Sequence, residues 1–261
     1  MRVLVTGAAR AIGAATVTEL AARGHEVVAT ARDPSLLAEL PATARFALDV
    51  TDTESVRTAV ARAGELDAVV NNAAIAREGP LESFPLDCLQ DMFDTNVFGT
   101  LRVIQAVVPA WRERGSGVIV NLSSIQGRVG TPLEGPYAAT KHAIEALSEA
   151  LHVEVGHFGI RVVIVEPGYI APGMKPGPSF DGPSAYDELR RQWASNDQAL
   201  NPGGRPGPEL VARAIADAIE QPATPMRVGV GDDAALVLSA RRSMDDETFE
   251  ATMRSVIGLT W

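Results

Sequence analysis

The sequence predicts an α/β fold: a doubly wound parallel β-sheet with helices on both faces, in a single domain spanning residues 1–261. Three observations carry this reading. Short β-branched runs alternate with helical segments of roughly 10 to 20 residues, the pattern of parallel strands joined by helical crossovers. The first strand runs through a glycine turn into a helix, as a βαβ unit requires. A chain of 261 residues that is 46% hydrophobic can fill one large core.

Arg2 to Thr6 is the first strand, and Thr6-Gly7-Ala8-Ala9-Arg10-Ala11-Ile12-Gly13 leads into an Ala/Leu-rich helix that ends at Arg23-Gly24. Such a turn can present backbone N–H groups and a helix N-terminus to a pyrophosphate. Glu26 to Thr30 is the second strand and Ala44 to Leu48 the third; a helix follows over Thr53 to Gly64. Asp67 to Asn71 is an apolar strand ending in Asn71-Asn72-Ala73-Ala74, followed by a long helix over Asn96 to Arg114 and a strand over Gly117 to Leu122. A helix over Pro136 to Phe158 and a strand over Arg161 to Glu166 complete the alternation. Thr6, Asn71, Ser124 and Pro167 all fall at or just past strand ends, where open α/β sheets bind their ligands. From Pro167 to Pro208 the texture changes to P-G, A-P-G, K-P-G-P and N-P-G-G-R-P-G-P with aromatics interspersed. An insertion at about 168–207 is therefore expected to cover a substrate. Pro208 to Glu220 then reads as helix, Met226 to Val230 as strand, and Asp232 to Ile257 as helix with a break near Ser243.

The formal charge of −10 disfavours nucleic acid and anionic membrane, which need clustered cations, and leaves a small molecule as the expected partner. Cys88 is the only cysteine, so no intrachain disulfide forms, and it is expected as a small buried hydrophobe. His25, His142, His152 and His157 show no ligand spacing, and no metal is expected. The opening M-R-V-L-V-T-G reads directly as a strand, with no signal peptide and no membrane-spanning apolar run, which gives a cytoplasmic expectation.

The stretch from Ser124 to Lys141 carries the chemistry. Lys141 follows Tyr137 by four residues, and Ser124 precedes Tyr137 by thirteen. With a helix starting at Pro136, Tyr137 and Lys141 share one face. Such a pair on a surface is ordinarily an i,i+4 contact, but this chain has only two lysines, Lys141 and Lys175, and three tyrosines. An ammonium about 5 Å from a phenol favours phenolate by roughly 3 kcal/mol at an effective dielectric of about 20, so the Tyr137 pKa is expected about two units below its usual value. Ser124, brought across by the loop, would then hydrogen-bond the reacting oxygen.

These residues together resemble the short-chain dehydrogenase/reductase family, in its single-domain Y-x-x-x-K branch with a Rossmann-like sheet. Five elements occur in the family's order: T-G-x-x-x-x-I-G at Thr6 to Gly13, Asp49-Val50, N-N-A-x at Asn71 to Ala74, N-V-x-G at Asn96 to Gly99, and Ser124, Tyr137 and Lys141 followed by Pro167-Gly168. The resemblance covers the chain up to about Gly231. It implies that Tyr137 is the general acid/base, Ser124 orients the substrate carbonyl, Lys141 tunes the tyrosine and holds a ribose, and Asn96 completes a water-linked proton relay. It further implies that Gly7, Arg10, Ile12 and Gly13 line the pyrophosphate, Asp49 and Val50 the adenine, Asn71 to Ala73 the ribose region, and Pro167, Gly168 and Ile170 the nicotinamide. Ser123 is an alternative serine, but the spacing of thirteen belongs to Ser124. The sequence departs from the family pattern at Ala11 and Ala74, where glycine is usual, and at Pro172, where threonine is frequent.

The implied activity is an oxidoreductase interconverting a ketone or aldehyde and an alcohol, with a homodimer or homotetramer as its assembly. The run His152 to Gly168 and the bulky insertion resemble members acting on steroid-, retinol- or polyketide-like molecules. The competing class is a nucleotide-sensing protein without turnover, which has no need for Ser124, Tyr137 and Lys141 together. For the coenzyme, the second strand ends Val28-Ala29-Thr30-Ala31-Arg32. The position at which a carboxylate would bind the ribose hydroxyls of NAD is Ala31, and the next residue is a guanidinium suited to a 2′-phosphate. NADP (NADPH) is therefore expected over NAD, with Arg32 as the reader and Arg10 as a second cation.

Overall fold

The computed structural model describes residues 1–174, 180, 182–194 and 196–261; Lys175 and the part of the insertion at 175–179 lie outside the described residues. Seven strands make one parallel sheet: β1 (Arg2–Val5), β2 (Glu26–Ala31), β3 (Ala44–Ala47), β4 (Ala68–Asn71), β5 (Gly117–Leu122), β6 (Ile160–Pro167) and β7 (Arg227–Val230). Their order is β3-β2-β1-β4-β5-β6-β7, so the chain winds outward from β1 and then reverses to the other side through β4. The central strands are apolar on both faces because helices cover both. Val3, Val5, Val27 and Ala29 pack toward α1 (Ala11–Ala22) and α8 (Pro208–Glu220). Leu4, Val28, Val69 and Ile119 pack toward α2 (Thr53–Ala63), α4 (Gly99–Arg114) and α5 (Gly135–Gly156).

Local chemistry sets the helix ends. The Asp52 side chain accepts from Glu54 N–H at 2.8 Å and opens α2, while Gly115 ends α4 in the left-handed region at φ 77°. Beyond it Trp111 lies flat on Gly117, where a Cβ would sit 2.2 Å from the indole, and its Nε1–H donates to Leu66 O at 2.7 Å. The sequence places the start of the long helix at Asn96; the structure starts it ten residues earlier. Helix α3 (Leu86–Phe93) follows Pro85 and runs through a π turn at Asp94–Phe98 into α4. Asn96 sits inside that π turn. Cys88, expected to be buried, is partly exposed on α3.

Beyond β6 the insertion holds α6 (Asp187–Trp193) and α7 (Asn196–Leu200), and after β7 come α9 (Asp232–Ser243) and α10 (Asp246–Ile257). The Gln192 side chain donates to Thr260 Oγ1 and accepts from the backbone N–H groups of Thr260 and Trp261, which ties α6 to the segment after α10. No helix among the described residues is long and apolar enough to cross a membrane.

Two non-glycine residues, Ala11 and Leu133, have a positive φ among the described residues. Ala11, the first residue of α1, has φ 46°. For an L-residue with a Cβ the left-handed region costs roughly 1 to 2 kcal/mol, part of which glycine gives back as unfolded-chain entropy. Ala11→Gly is expected to stabilise the fold by about 0.5 to 1 kcal/mol, read as a Tm raised by roughly 1 to 4 °C; a lower Tm would show that Ala11 carries no strain.

Candidate active site

Parallel pairing brings the predicted strand-end residues together. Val5 pairs with Val70, Asn71 with Asn121 and Leu122 with Val165, so the ends of β1, β4, β5 and β6 line one edge about 14 Å across at the usual strand spacing. On the first of these ends the glycine turn is closed by side chains the sequence reading passed over. Asn72 Nδ2 donates to Thr6 O at 2.8 Å and Gly7 O at 3.1 Å, and Thr6 Oγ1 accepts from the backbone N–H groups of Asn72 and Ala73. Gly7 has φ 63°, and a Cβ there would lie 2.9 Å from Ala73 Cα; a Cβ on Gly13 would lie 2.4 Å from Gly7 O. The turn therefore tolerates no side chain at either glycine. Its backbone, leading into the N-terminus of α1, makes the kind of cradle a pyrophosphate takes. Ile12 packs against the core beneath it.

Arg10 and Arg32 are both exposed. Neither forms an ion pair or side-chain hydrogen bond among the described residues, because Asp33, the nearest carboxylate in sequence, is taken by Ser35 N–H and Ser35 Oγ. Asp49 is held below the usual carboxylate range although burial opposes it, by the Thr51 N–H and hydroxyl and by the nearby Arg32 and Arg102 guanidinium groups. The Val50 side chain is turned inward against Gly99, where a Cβ would meet it at 2.7 Å, so the glycine of N-V-x-G is a packing requirement. Asn71 is also turned inward: its Nδ2 donates to Asn121 Oδ1 at 2.8 Å, and Asn121 donates on to Ser148 Oγ at 2.8 Å. Of the Asn71–Ala73 segment, Asn72 and Ala73 rather than the Asn71 amide face the glycine turn.

Tyr137 lies in the first turn of α5, and Lys141 lies beneath it with Nζ 5.6 Å from the ring centroid. Lys141 is 4% exposed and donates to Leu122 O at 2.7 Å, which anchors it to the end of β5. Burial lowers its ammonium to about 8, against the opposing pull of Glu145. The sequence reading of Tyr137 is overturned in direction. Burial, and then the Glu134 carboxylate at the start of the helix, push the phenol above its ordinary value. Lys141 alone would lower the phenol, but the cost of burying a phenolate and the charge of Glu134 act the other way. Glu134 is itself raised by burial and by Glu78, and it is held by Gln126 Nε2 and by Thr131 Oγ1 at 3.1 Å.

Ser124 opens the 3-10 turn after β5. Its Oγ accepts from Gln126 N–H at 3.2 Å and its proton reaches Pro167 O only at 3.5 Å, so the hydroxyl remains available to a better acceptor. Ser123 Oγ is buried, on the side away from this edge. Asn96 is fully engaged: Oδ1 accepts from Ile75 N–H at 2.8 Å, and Nδ2 donates to Ile75 O at 2.9 Å and Thr140 Oγ1 at 3.0 Å. It fastens the segment after β4 to α5. Pro167 and Gly168 are clamped from α9 by Asp233, which is 1% exposed and accepts from Tyr169 N–H at 2.7 Å. A Cβ on Gly168 would sit 2.0 Å from Asp233 Oδ1. Ile170 is buried in the core, and the Ala171–Pro172 peptide is cis. Asp233 escaped the sequence reading because an acid in a helix's first turn reads as a dipole partner. Phe84 meets Phe180 edge-on with centroids 5.3 Å apart, and Leu133 O accepts from Gly79 N–H at 2.8 Å.

The family model described as short chain dehydrogenase matches residues 1–178. Retinol dehydrogenase 8 of Bos taurus is 34% identical over 251 residues, covering 86% of this chain and 80% of that protein. A short-chain dehydrogenase from Streptomyces avermitilis superposes with a TM-score of 0.84 at 35% identity, covering 98% of this chain and 96% of that one. One from Burkholderia cenocepacia, solved in complex with NADP, gives 0.79 at 26% identity, with 97% and 96% covered. With the seven-stranded parallel sheet, the glycine cradle and the Tyr137–Lys141 pair at one sheet edge, the chain belongs to the short-chain dehydrogenase family, whose members are oxidoreductases.

Proposed function

We propose that this oxidoreductase is NADP(H)-dependent and reduces a bulky apolar ketone or aldehyde to the alcohol. The observation that carries the reading is the Tyr137–Lys141 pair, anchored to the end of β5 beside Ser124. The nicotinamide coenzyme supplies the hydride. Ser124 gives its loosely held proton as a hydrogen bond to the carbonyl oxygen, and Tyr137 delivers the proton that makes the hydroxyl. Lys141 holds a coenzyme ribose and places positive charge under the phenol as it loses that proton. Asn96 completes the proton relay by fixing Ile75 and Thr140 around α5.

Burial and Glu134 favour protonated Tyr137, the form that donates to a carbonyl oxygen in reduction. The insertion at about 168–207 covers the substrate, and the Phe84–Phe180 contact supplies apolar surface for it. The similarity to a retinol dehydrogenase supports a substrate of that kind. For the coenzyme, Arg32 and Arg10 stand exposed and unpaired among the described residues at the adenosine end, and a neighbour in structure was solved with NADP. Leu147 on α5 forms, with Leu101, Ile104 and Leu151 around the shallow cavity beside α4, an apolar face suited to a second copy of the chain.

Tyr137→Phe removes the proton donor and little else. Turnover of a ketone panel is expected to fall by about 10² to 10⁴ with NADPH affinity unchanged, and near-normal turnover would sink the mechanism. A protein that binds NADPH but turns over nothing on a broad panel would instead be a sensor. The ratio of kcat/KM values for NADPH and NADH reports Arg32. A charge-assisted contact contributes about 1.5 to 3 kcal/mol, so a preference of roughly 10- to 150-fold for NADPH is expected, reversed in Ala31→Asp/Arg32→Ala; equal values would remove Arg32 from phosphate recognition. Light scattering is expected to give a dimer or tetramer, whereas a 27.5 kDa species at micromolar concentration would mean a monomer.

A further inference from the structure

Behind the catalytic loop, toward β7, three buried polar atoms have no hydrogen-bond partner among the described residues: Ser123 Oγ, Glu145 Oε1 and Glu166 Oε1. Glu145 follows Lys141 by four residues on α5, so Tyr137, Lys141 and Glu145 stand at successive turns of one helix face. Gly127 leaves the space between them, since a Cβ there would lie 2.4 Å from Ser123 Oγ and 3.2 Å from Glu145 Oε1. Glu145 is 5% exposed and Glu166 2%. Lys141 makes no direct ion pair among the described residues, and Glu145 is the one carboxylate that acts to keep it charged.

The charges around Glu145 come from every element packed against it. On its own helix are Lys141 and Glu149; from the loop after β5, Arg128 at 4.0 Å; from β6, Glu166; from β7, Arg227, whose Nε–H donates to Glu145 Oε2 at 2.9 Å while its Nη2 takes Glu149. Arg241 and Arg242 on α9 line, with Arg128, Glu166, Arg227 and Leu238, a cavity of about 220 Å³ at the open side of the pair. Glu145 takes the direct guanidinium bond. Glu166 faces it without such a bond, at 3.9 Å from Arg227 Nε, and burial and the Glu145 carboxylate raise its pKa to about 7.

We propose that Glu145, one helical turn from Lys141 and buried with it, is a positioning residue, the counter-ion that keeps Lys141 charged. Glu145 touches neither substrate nor coenzyme; it acts through Lys141. The inference deepens the reductase reading, since the charge it maintains is the one Tyr137 needs beneath it.

The chain's own composition supplies a direct readout. With only two lysines, Lys141 and Lys175, an isotopic label on the lysine ε-carbon gives two signals, and Lys175→Arg assigns them. In the unmodified protein Lys141 is expected to titrate near 8. In Glu145→Gln its midpoint is expected to fall by at least about one pH unit, and in Glu145→Asp by less. Glu145, not Glu166, acts on Lys141, so the shift in Glu166→Gln is expected to be smaller than in Glu145→Gln. Arg128→Gln removes a nearby cation from a partly exposed site and is expected to move the midpoint up. The alkaline limb of kcat/KM for carbonyl reduction is expected to follow each shift. An unmoved Lys141 midpoint in Glu145→Gln overturns the inference; if that variant does not fold, an unmoved midpoint in Arg128→Gln does so. Lys141 shifts of the expected sign in a protein that reduces no carbonyl would uphold the inference and defeat only the proposed activity.

Discussion

The ammonium of Lys141 sits almost without solvent at the end of β5, bonded to the carbonyl of Leu122. A buried cation is costly unless the surroundings repay it, and much of the site can be read as that repayment. The β5 carbonyl supplies one acceptor and Glu145 the distant negative charge, while Tyr137 lies over the ammonium as the group that gains from it. The polar chain Asn71–Asn121–Ser148 runs through the same layer between the sheet and α5, so this side of the core is not closed by apolar packing alone. Helix α5 is therefore placed by electrostatics at its N-terminal half and by apolar contacts, such as Val155, at its C-terminal half.

The coenzyme edge follows a different constraint, the exclusion of side chains. Gly7, Gly13, Gly99 and Gly168 each sit where a Cβ would overlap Ala73, Gly7, Val50 or Asp233. Close backbone approach lets adjacent strand ends share one crevice, and side-chain amides and hydroxyls from Asn72, Thr6 and Asn96 then fasten the loops across it. Ala11 breaks this pattern, with a methyl in a left-handed conformation at the mouth of the cradle.

The fold was legible because its signal is periodic. Alternating β-branched runs and helical segments gave all seven strands, and the motif spacings gave the four strand ends that meet. Helix α3 was not legible, since Pro85 and the short Leu86–Phe93 segment carry no strong cap and Asn96 offered a more obvious start. In the site, the identity and adjacency of Tyr137 and Lys141 came from spacing alone. The direction of the Tyr137 shift did not, because burial and the approach of Glu134 are tertiary facts. Asn72 and Asp233 were missed for a related reason: their side chains bond backbone groups across strands, Thr6 and Tyr169, whose proximity no local pattern announces.

The central claim is that Tyr137, Lys141 and Ser124 serve hydride reduction of a carbonyl. It is tested most directly by following the label from NADPH carrying deuterium at the nicotinamide C4, incubated with the protein and an apolar ketone. The account predicts an alcohol bearing one deuterium on the carbinol carbon, formed in step with NADPH consumption. Product without deuterium on that carbon, or NADPH consumed with no alcohol formed, would contradict it.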